Sequence, residues 1–310
     1  MGRAQKDSIV MCGCHEAGYN SIKWALEEGL KINCFVLLSN EVVLKNQISG
    51  YKDFSLLAKK YKINIYYCKS YSLKTHEDIE FFKKNQFSLL IQGGWQRLFP
   101  KEVLQTLKIG AIGGHGSSDF LPKGRGRSPL NWSLVENKKR FITHYFIIKP
   151  GIDDGDIFYT EMIDINQWDN IKTLYYKMAI ITSKVYITLL NKLINREINL
   201  TKQKGIPTYY PKRTANDGKI NWEKDIFEIY NLVRAVTKPY PGAFAFYKEK
   251  KIFIWSAQPF DTRIDTINHV FGEVVKVFEN GDLIVKAGSG LLLITAYESE
   301  VLISEGFVFD

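Results

Sequence analysis

The chain reads as an α/β protein: a doubly wound, mostly parallel sheet over residues 1–198, a linker over 199–211 and a small, mostly β domain over 212–310. Three observations predict this. Apolar runs of the kind buried on both faces of a parallel sheet alternate with segments of helical period along the first part. From Asn199 to Pro211 the composition turns to Lys, Gln, Gly, Pro and Tyr, as between domains. Beyond it, short apolar stretches are punctuated by turn residues.

In order, Ser8–Cys14 is a first strand, followed by a helix over Tyr19–Glu28 with Ile22, Ala25 and Leu26 on one face. Ile32–Ser39 is a second strand, and Asn40–Lys52 a loop after it. Leu56 and Leu57 belong to a second helix, Ile63–Tyr67 to a third strand, Ile79 and Phe82 to a further helix, and Phe87–Gln92 to a fourth strand. That order predicts right-handed crossovers in one sheet. No G-x-G-x-x-G follows the first strand, so no nicotinamide dinucleotide site is indicated. Phe158–Ile165 reads as a strand, and Asn170–Ile194 as one long helix with Leu174, Met178, Ile181, Val185 and Leu189 at helical spacing. After the linker, Ile226, Ile229, Val233 and Val236 mark an amphipathic helix that stops before Lys238-Pro239. Strands follow at Ile252–Trp255, Gly272–Phe278, Leu283–Lys286 and Leu291–Thr295, with Asn280-Gly281 as a hairpin turn.

Composition narrows the function classes. The 310 residues are 45% hydrophobic and 24% charged, as in a globular chain, and no apolar run approaches the roughly eighteen residues of a membrane span. The start, MGRAQKDSIV, lacks the apolar core of a signal peptide, which predicts a cytoplasmic protein with no membrane partner. Cys12, Cys14, Cys34 and Cys68 lie in apolar stretches and read as buried free thiols, and no ligand spacing points to a metal. The net charge of +9 suits small polyanions as well as nucleic acid, but the lysines are scattered as solvated faces and turns.

The chemistry concentrates in Gly110–Ile157. A short apolar run ends in Gly113-Gly114, and His115 follows where a buried strand would open into a loop. Leu121–Arg127 is rich in turn residues, and Ser128-Pro129 reads as a helix start with serine as N-cap. Asp153 heads the acidic turn Asp153-Asp154-Gly155-Asp156.

This segment resembles the N10-formyltetrahydrofolate-dependent formyltransferases, whose pattern runs Asn-x-His-x-Ser-Leu-Leu-Pro, Arg-Gly-x-x-Pro, then Asp-x-Gly-Asp. The likeness extends upstream to Gly94–Leu104, similar to the family's formyl-folate loop, and downstream to Arg213–Trp222 and Tyr230–Phe244. The wording is nearest the branch acting on nucleotide-linked amino sugars, including the formyltransferase half of the bifunctional polymyxin-resistance enzyme. The methionyl-tRNA branch shares the same motifs. The resemblance implies a Rossmann-like formyltransferase domain followed by a small OB-like β-barrel C-terminal domain, and N10-formyltetrahydrofolate as co-substrate.

The reaction it implies is attack of a primary amine on the formyl carbon through a tetrahedral oxyanion. Such a reaction needs a base, donors at the oxyanion and a carboxylate that orients the base. By position, His115 matches the base and Asp153 its carboxylate. Backbone groups of Arg97, Leu98 and Phe99 match the loop edging the pterin, with Leu98 and Phe99 offering apolar contact and Asp154 on the other side. Arg125 and Arg127 suit a diphosphate.

Two departures stand out. The family's asparagine falls on Gly113, so an oxyanion donor is absent; losing one such donor costs about 3 kcal/mol. The spacing from His115 to Pro122 is also two residues longer than in the family, placing Ser117, Ser118 and Asp119 in an enlarged loop. Counting back from Pro122 would instead put Ser117 on the histidine position and leave no base; the register of Ile109–Ile112 favours His115. Ser117, a backbone N–H of that loop or protonated His115 is expected to supply the donor.

The expected acceptor is a small-molecule nucleotide sugar, formylated as a precursor of surface polysaccharide or lipopolysaccharide. Methionyl-tRNA is the alternative, disfavoured because the loop over Asn40–Lys52 carries only Lys45 and Lys52. A catalytically silent folate- or nucleotide-sugar-binding relative is the second alternative, which the absent asparagine keeps open. Self-association into a homodimer is also left open.

Overall fold

The computed structural model describes residues 8–46, 48, 50–264 and 267–310. The first seven residues, and Gln47 and Ser49 of the predicted loop, lie outside them. The chain forms two compact units: Met1–Gly126 with Ile142–Ile163 and Tyr175–Tyr209, and Arg127–Phe141 with Asp164–Leu174 and Tyr210–Asp310.

The elements to residue 210 run β1 (Ile9–Gly13), α1 (Glu16–Glu27), β2 (Cys34–Leu38), α2 (Asn40–Asn46), α3 (Ser55–Tyr61), β3 (Asn64–Cys68), α4 (His76–Asn85), β4 (Leu89–Gly93), α5 (Lys101–Leu104), β5 (Gly110–Ser117), β6 (Arg125–Gly126), α6 (Pro129–Val135), β7 (Arg140–Ile147), β8 (Asp156–Asp164), α7 (Ile171–Ile194) and β9 (Tyr209–Tyr210). Seven strands form one sheet in the order β3-β2-β1-β4-β5-β7-β8. Strands β1 to β5 are mutually parallel and β7 is antiparallel to β5. The order reverses between β1 and β4, where open α/β sheets form their ligand crevice. Alternate residues feed two cores: Met11, Phe35, Ile91 and Ile112 on one face, and Val10, Val36, Leu90 and Ala111 on the other. Both faces are therefore apolar, as parallel sheets with helices on each side require. The four cysteines are buried free thiols.

Three local expectations need correction. Strand β5 does not open at His115 but continues to Ser117, because β7 pairs alongside it, with Gly113 opposite Phe146, His115 opposite His144 and Ser117 opposite Ile142. Gly113-Gly114 is a packing requirement inside a strand and not a strand end: a Cβ on Gly114 would stand 3.1 Å from the Tyr145 ring. The segment after β2 begins with helix α2, capped by Ser39, whose Oγ accepts from the Val42 N–H, and anchored by buried Val42. Finally, Pro129 does occupy the first helical position of α6, but Ser128 sits at φ 55° with no side-chain cap.

In the second unit, α8 (Ile226–Val236) presents buried Ile226, Ile229, Val233 and Val236, is capped by Asp225 and ends at Thr237. Arg234 on this helix is buried and satisfied: its guanidinium donates to Asn231 Oδ1 and to the carbonyls of Asn166 and Asp169. A five-stranded antiparallel sheet follows in the order β10 (Ala243–Tyr247), β11 (Lys250–Asp261), β14 (Gly290–Glu298), β13 (Leu283–Ala287) and β12 (Val274–Val277). Strand β11 runs well past the predicted Trp255. Pro259 is tolerated because the β10 pairing ends at Ile254, leaving only β14 beside it, so the missing N–H interrupts one ladder at most. The Asn280-Gly281 turn joins β12 to β13 as predicted, with Gly281 at φ 89°.

Candidate active site

The site is built on the end of β5 and the loops that close around it. His115 projects from β5 with a side chain only 10% exposed, and its Nδ1 lies 3.4 Å from Asp153 Oδ2. The two residues singled out from the sequence are thus brought together. Its Nε2 lies 2.9 Å from the Gly124 carbonyl. A carboxylate on one side and a carbonyl on the other are both acceptors, and a neutral ring, with a single N–H, donates to one of them at a time.

Asp153 is aimed by its backbone. It adopts φ 49°, a left-handed position that Asp tolerates better than most residues, and its Oδ2 also accepts from the Gly126 N–H at 3.1 Å. Gly155 closes the acidic turn against β7, where a Cβ would fall 2.0 Å from the Ile147 carbonyl. Asp154 folds over Gly151, and its Oδ1 is buried without a hydrogen-bond partner. That orphaned acceptor, next in sequence to Asp153, could accept from a bound donor such as a pterin.

The stretch after α7 supplies residues the sequence did not mark. Gln203 Nε2 donates to the carbonyls of Asp153 and Gly155 at 2.7 and 2.9 Å, while its Oε1 accepts from Arg125 Nη2 at 2.6 Å. Thr208 accepts the Gly124 N–H on its hydroxyl and the Arg125 N–H on its carbonyl. The segment 199–209 therefore ties the acidic turn to the basic loop. No motif flags it; its only trace is a polar residue inside a spacer.

Other predicted residues fall differently. Arg125 lies beside the pair through Gln203, whereas Arg127 belongs to the second unit and is exposed. Arg97 is exposed, with its guanidinium 4.7 Å above the Tyr71 ring. Leu98 is exposed and available for apolar contact, but Phe99 is not: it is buried and stacked on Trp95 in the core. Its ring is spent on packing the loop. Ser117 cannot serve as the oxyanion donor in this geometry. Its single hydroxyl proton faces the carbonyls of Asp119 and Lys123 at 2.7 and 3.0 Å, and its Oγ accepts the Asp119 N–H.

His144, opposite His115 across the β5–β7 pair, escaped the sequence reading. It is buried, with Nδ1 unpartnered and Phe120 packed edge-on at 5.8 Å. Burial, and secondarily the nearby His115, push its pKa down to about 4. It therefore stands as a neutral imidazole at neutral pH.

Residues 40–190 match the formyl transferase family, and residues 212–301 match its C-terminal domain. The chain is 33% identical over 229 residues to a methionyl-tRNA formyltransferase of Thermodesulfovibrio yellowstonii, covering 72% of this chain and 70% of that protein. It is 30% identical over 252 residues to the bifunctional polymyxin resistance protein ArnA of Wigglesworthia glossinidia brevipalpis, covering 81% of this chain but spanning only 38% of ArnA. Among solved structures, WlaRD, a sugar 3N-formyltransferase crystallised with dTDP and 5-N-formyl-THF, shares the fold with TM-score 0.64 at 19% identity, over 96% of this chain and 100% of that one. With both of its regions matched in order and a 33% identical relative covered over 70% of its length, this chain belongs to the formyl transferase family of one-carbon transferases.

Proposed function

We propose that the chain transfers a formyl group from N10-formyltetrahydrofolate to the primary amine of a nucleotide-linked amino sugar, in the cytoplasm. Residues 1–198 carry the transfer, and residues 212–310 form an OB-like domain. The observation that carries the reading is the His115–Asp153 pair, 3.4 Å apart and bordered by the Arg125 loop. The Asp153 carboxylate holds Nδ1, and Nε2, now against the Gly124 carbonyl, is the nitrogen left to meet the incoming amine and take its proton. Arg125 offers a guanidinium suited to phosphate oxygens on the same loop. Leu98 and the backbone of Arg97–Phe99 border the folate side, with Asp154 Oδ1 as the free acceptor.

The sugar reading is supported by the motif wording, by the likeness to ArnA and by the ligands named for WlaRD. Methionyl-tRNA is the second reading, favoured by 33% identity across 70% of a tRNA-acting relative. Purified protein supplied with labelled formyl-folate and either UDP- and dTDP-amino sugars or methionyl-tRNA separates them. Label in the sugar nucleotide is the expected result. Label only in the tRNA overturns the sugar reading, and label in neither leaves a silent binding relative.

A further inference from the structure

We propose that Gln92 replaces the missing asparagine: its carboxamide fills the space beside Gly113 and donates a hydrogen bond to the formyl oxygen during transfer. This rests on the formyl-transfer reading above. Gln92 is the penultimate residue of β4, next to β5, where Leu90 pairs with Ala111 and Ile91 with Ile112. Leu90 and Ala111 share one core and Ile91 and Ile112 the other, so by alternation Gln92, Gly113 and His115 share the face of Leu90. A Cβ on Gly113 would stand 2.4 Å from Gln92 Oε1 and 2.9 Å from Ile148 Cδ1. A side chain at 113 therefore requires the ends of the Gln92 and Ile148 side chains to shift. The glycine is the counterpart of an amide that arrives from the neighbouring strand.

The carboxamide is also oriented. Its Nε2 donates to the Trp95 carbonyl at 2.7 Å, and because a carbonyl only accepts, that contact decides which end is nitrogen. One N–H is used as an anchor, and the second remains to be given. In the step assigned to it, the amine lone pair forms a bond to the formyl carbon and the C=O π pair moves onto oxygen, where the second N–H of Gln92 meets it. His115 takes the amine proton. The oxygen pair then re-forms the carbonyl, the bond from carbon to N10 breaks, and N10 takes the proton from His115. The products are the formamide and tetrahydrofolate, with no change of oxidation state.

Gln92→Leu keeps similar volume without the donor, and kcat is expected to fall about a hundredfold with little change in the KM for formyl-folate. Gly113→Asn alone is expected to lose comparable activity through collision with Gln92. The double variant Gln92→Ala with Gly113→Asn, returning the amide to β5, is expected to recover at least about tenfold over either single variant. An acceptor-independent reading comes from N10-formyl-dideazafolate labelled with carbon-13 at the formyl group. Its carbonyl stretch, by difference infrared spectroscopy, is expected at lower frequency on the wild-type protein than on Gln92→Leu. If Gln92→Leu fails to fold, the isosteric Gln92→Glu, which keeps acceptors but no amide donor, takes its place. Parent kcat in the variant, or an identical band, overturns the proposal. A Gln92-dependent band without transfer to amino sugars upholds the role of Gln92 and overturns the acceptor reading. A protein that does not bind the analogue overturns both.

Discussion

Asp153 approaches His115 from a left-handed backbone position and shares its Oδ2 with the Gly126 N–H. Asparagine tolerates that backbone region as well as aspartate, so Asp153→Asn isolates the charge from the fold. Steady-state kinetics should show kcat lower by about a hundredfold to ten-thousandfold, with little change in the KM for formyl-folate; an unchanged kcat removes Asp153 from the mechanism. His144 makes a separate prediction. Its pKa, depressed from 6.5 to about 4, means that between those values the unfolded chain binds a proton the folded chain resists. Stability therefore falls as pH drops from 6.5 towards 4, by up to about 1.4 kcal/mol per unit from this residue. Urea melts of the wild type and His144→Leu at several pH values should differ in slope across that window and run parallel above it. His115 and Asp153 were legible in the sequence because each sits in a motif whose order and spacing are distinctive. His144 and Gln92 were not, because a lone polar residue in an apolar strand has no periodic or motif signal, and its role is set by which strand lies next to it.

At the level of elements, the sheet was legible wherever apolar runs were long and turn signals unambiguous. Where sequence and structure differ, the cause is a residue type with two meanings. Gly113-Gly114 looks like punctuation in the sequence, yet these glycines admit Gln92, Ile148 and Tyr145 against the middle of β5. Ser128-Pro129 has the pattern of a side-chain cap, yet only the proline fulfils its part. The polar stretch after α7 has the composition of a linker, and Gln203 and Thr208 within it join the acidic turn to the Arg125 loop. Gln203→Leu should consequently lower kcat by about ten- to a hundredfold, since a displacement of about an ångström at the reacting groups is worth that much. Its melting temperature should stay near that of the parent, and a variant with parental turnover would show that this tie does not position the site.

For the whole molecule, the charge of +9 is the feature most open to opposing readings, because it suits both tRNA and a diphosphate. They separate by salt. A sugar nucleotide presents two phosphates, so the logarithm of its KM should rise with the logarithm of salt concentration with a slope no steeper than about two. A tRNA acceptor releases more counterions and gives a steeper dependence, which would move the assignment to the second reading. The exposed lysines of the stretch between α7 and β9 offer another handle. Lys202 and Lys204 flank Gln203 on a segment whose Thr201 bridges Ile157. Trypsin nicking there should abolish turnover while the sheet keeps its circular dichroism, and a bound acceptor should slow the cut. What looks like slack rope in the sequence is then a guy-line: severing it leaves the tent standing and lets the doorway sag.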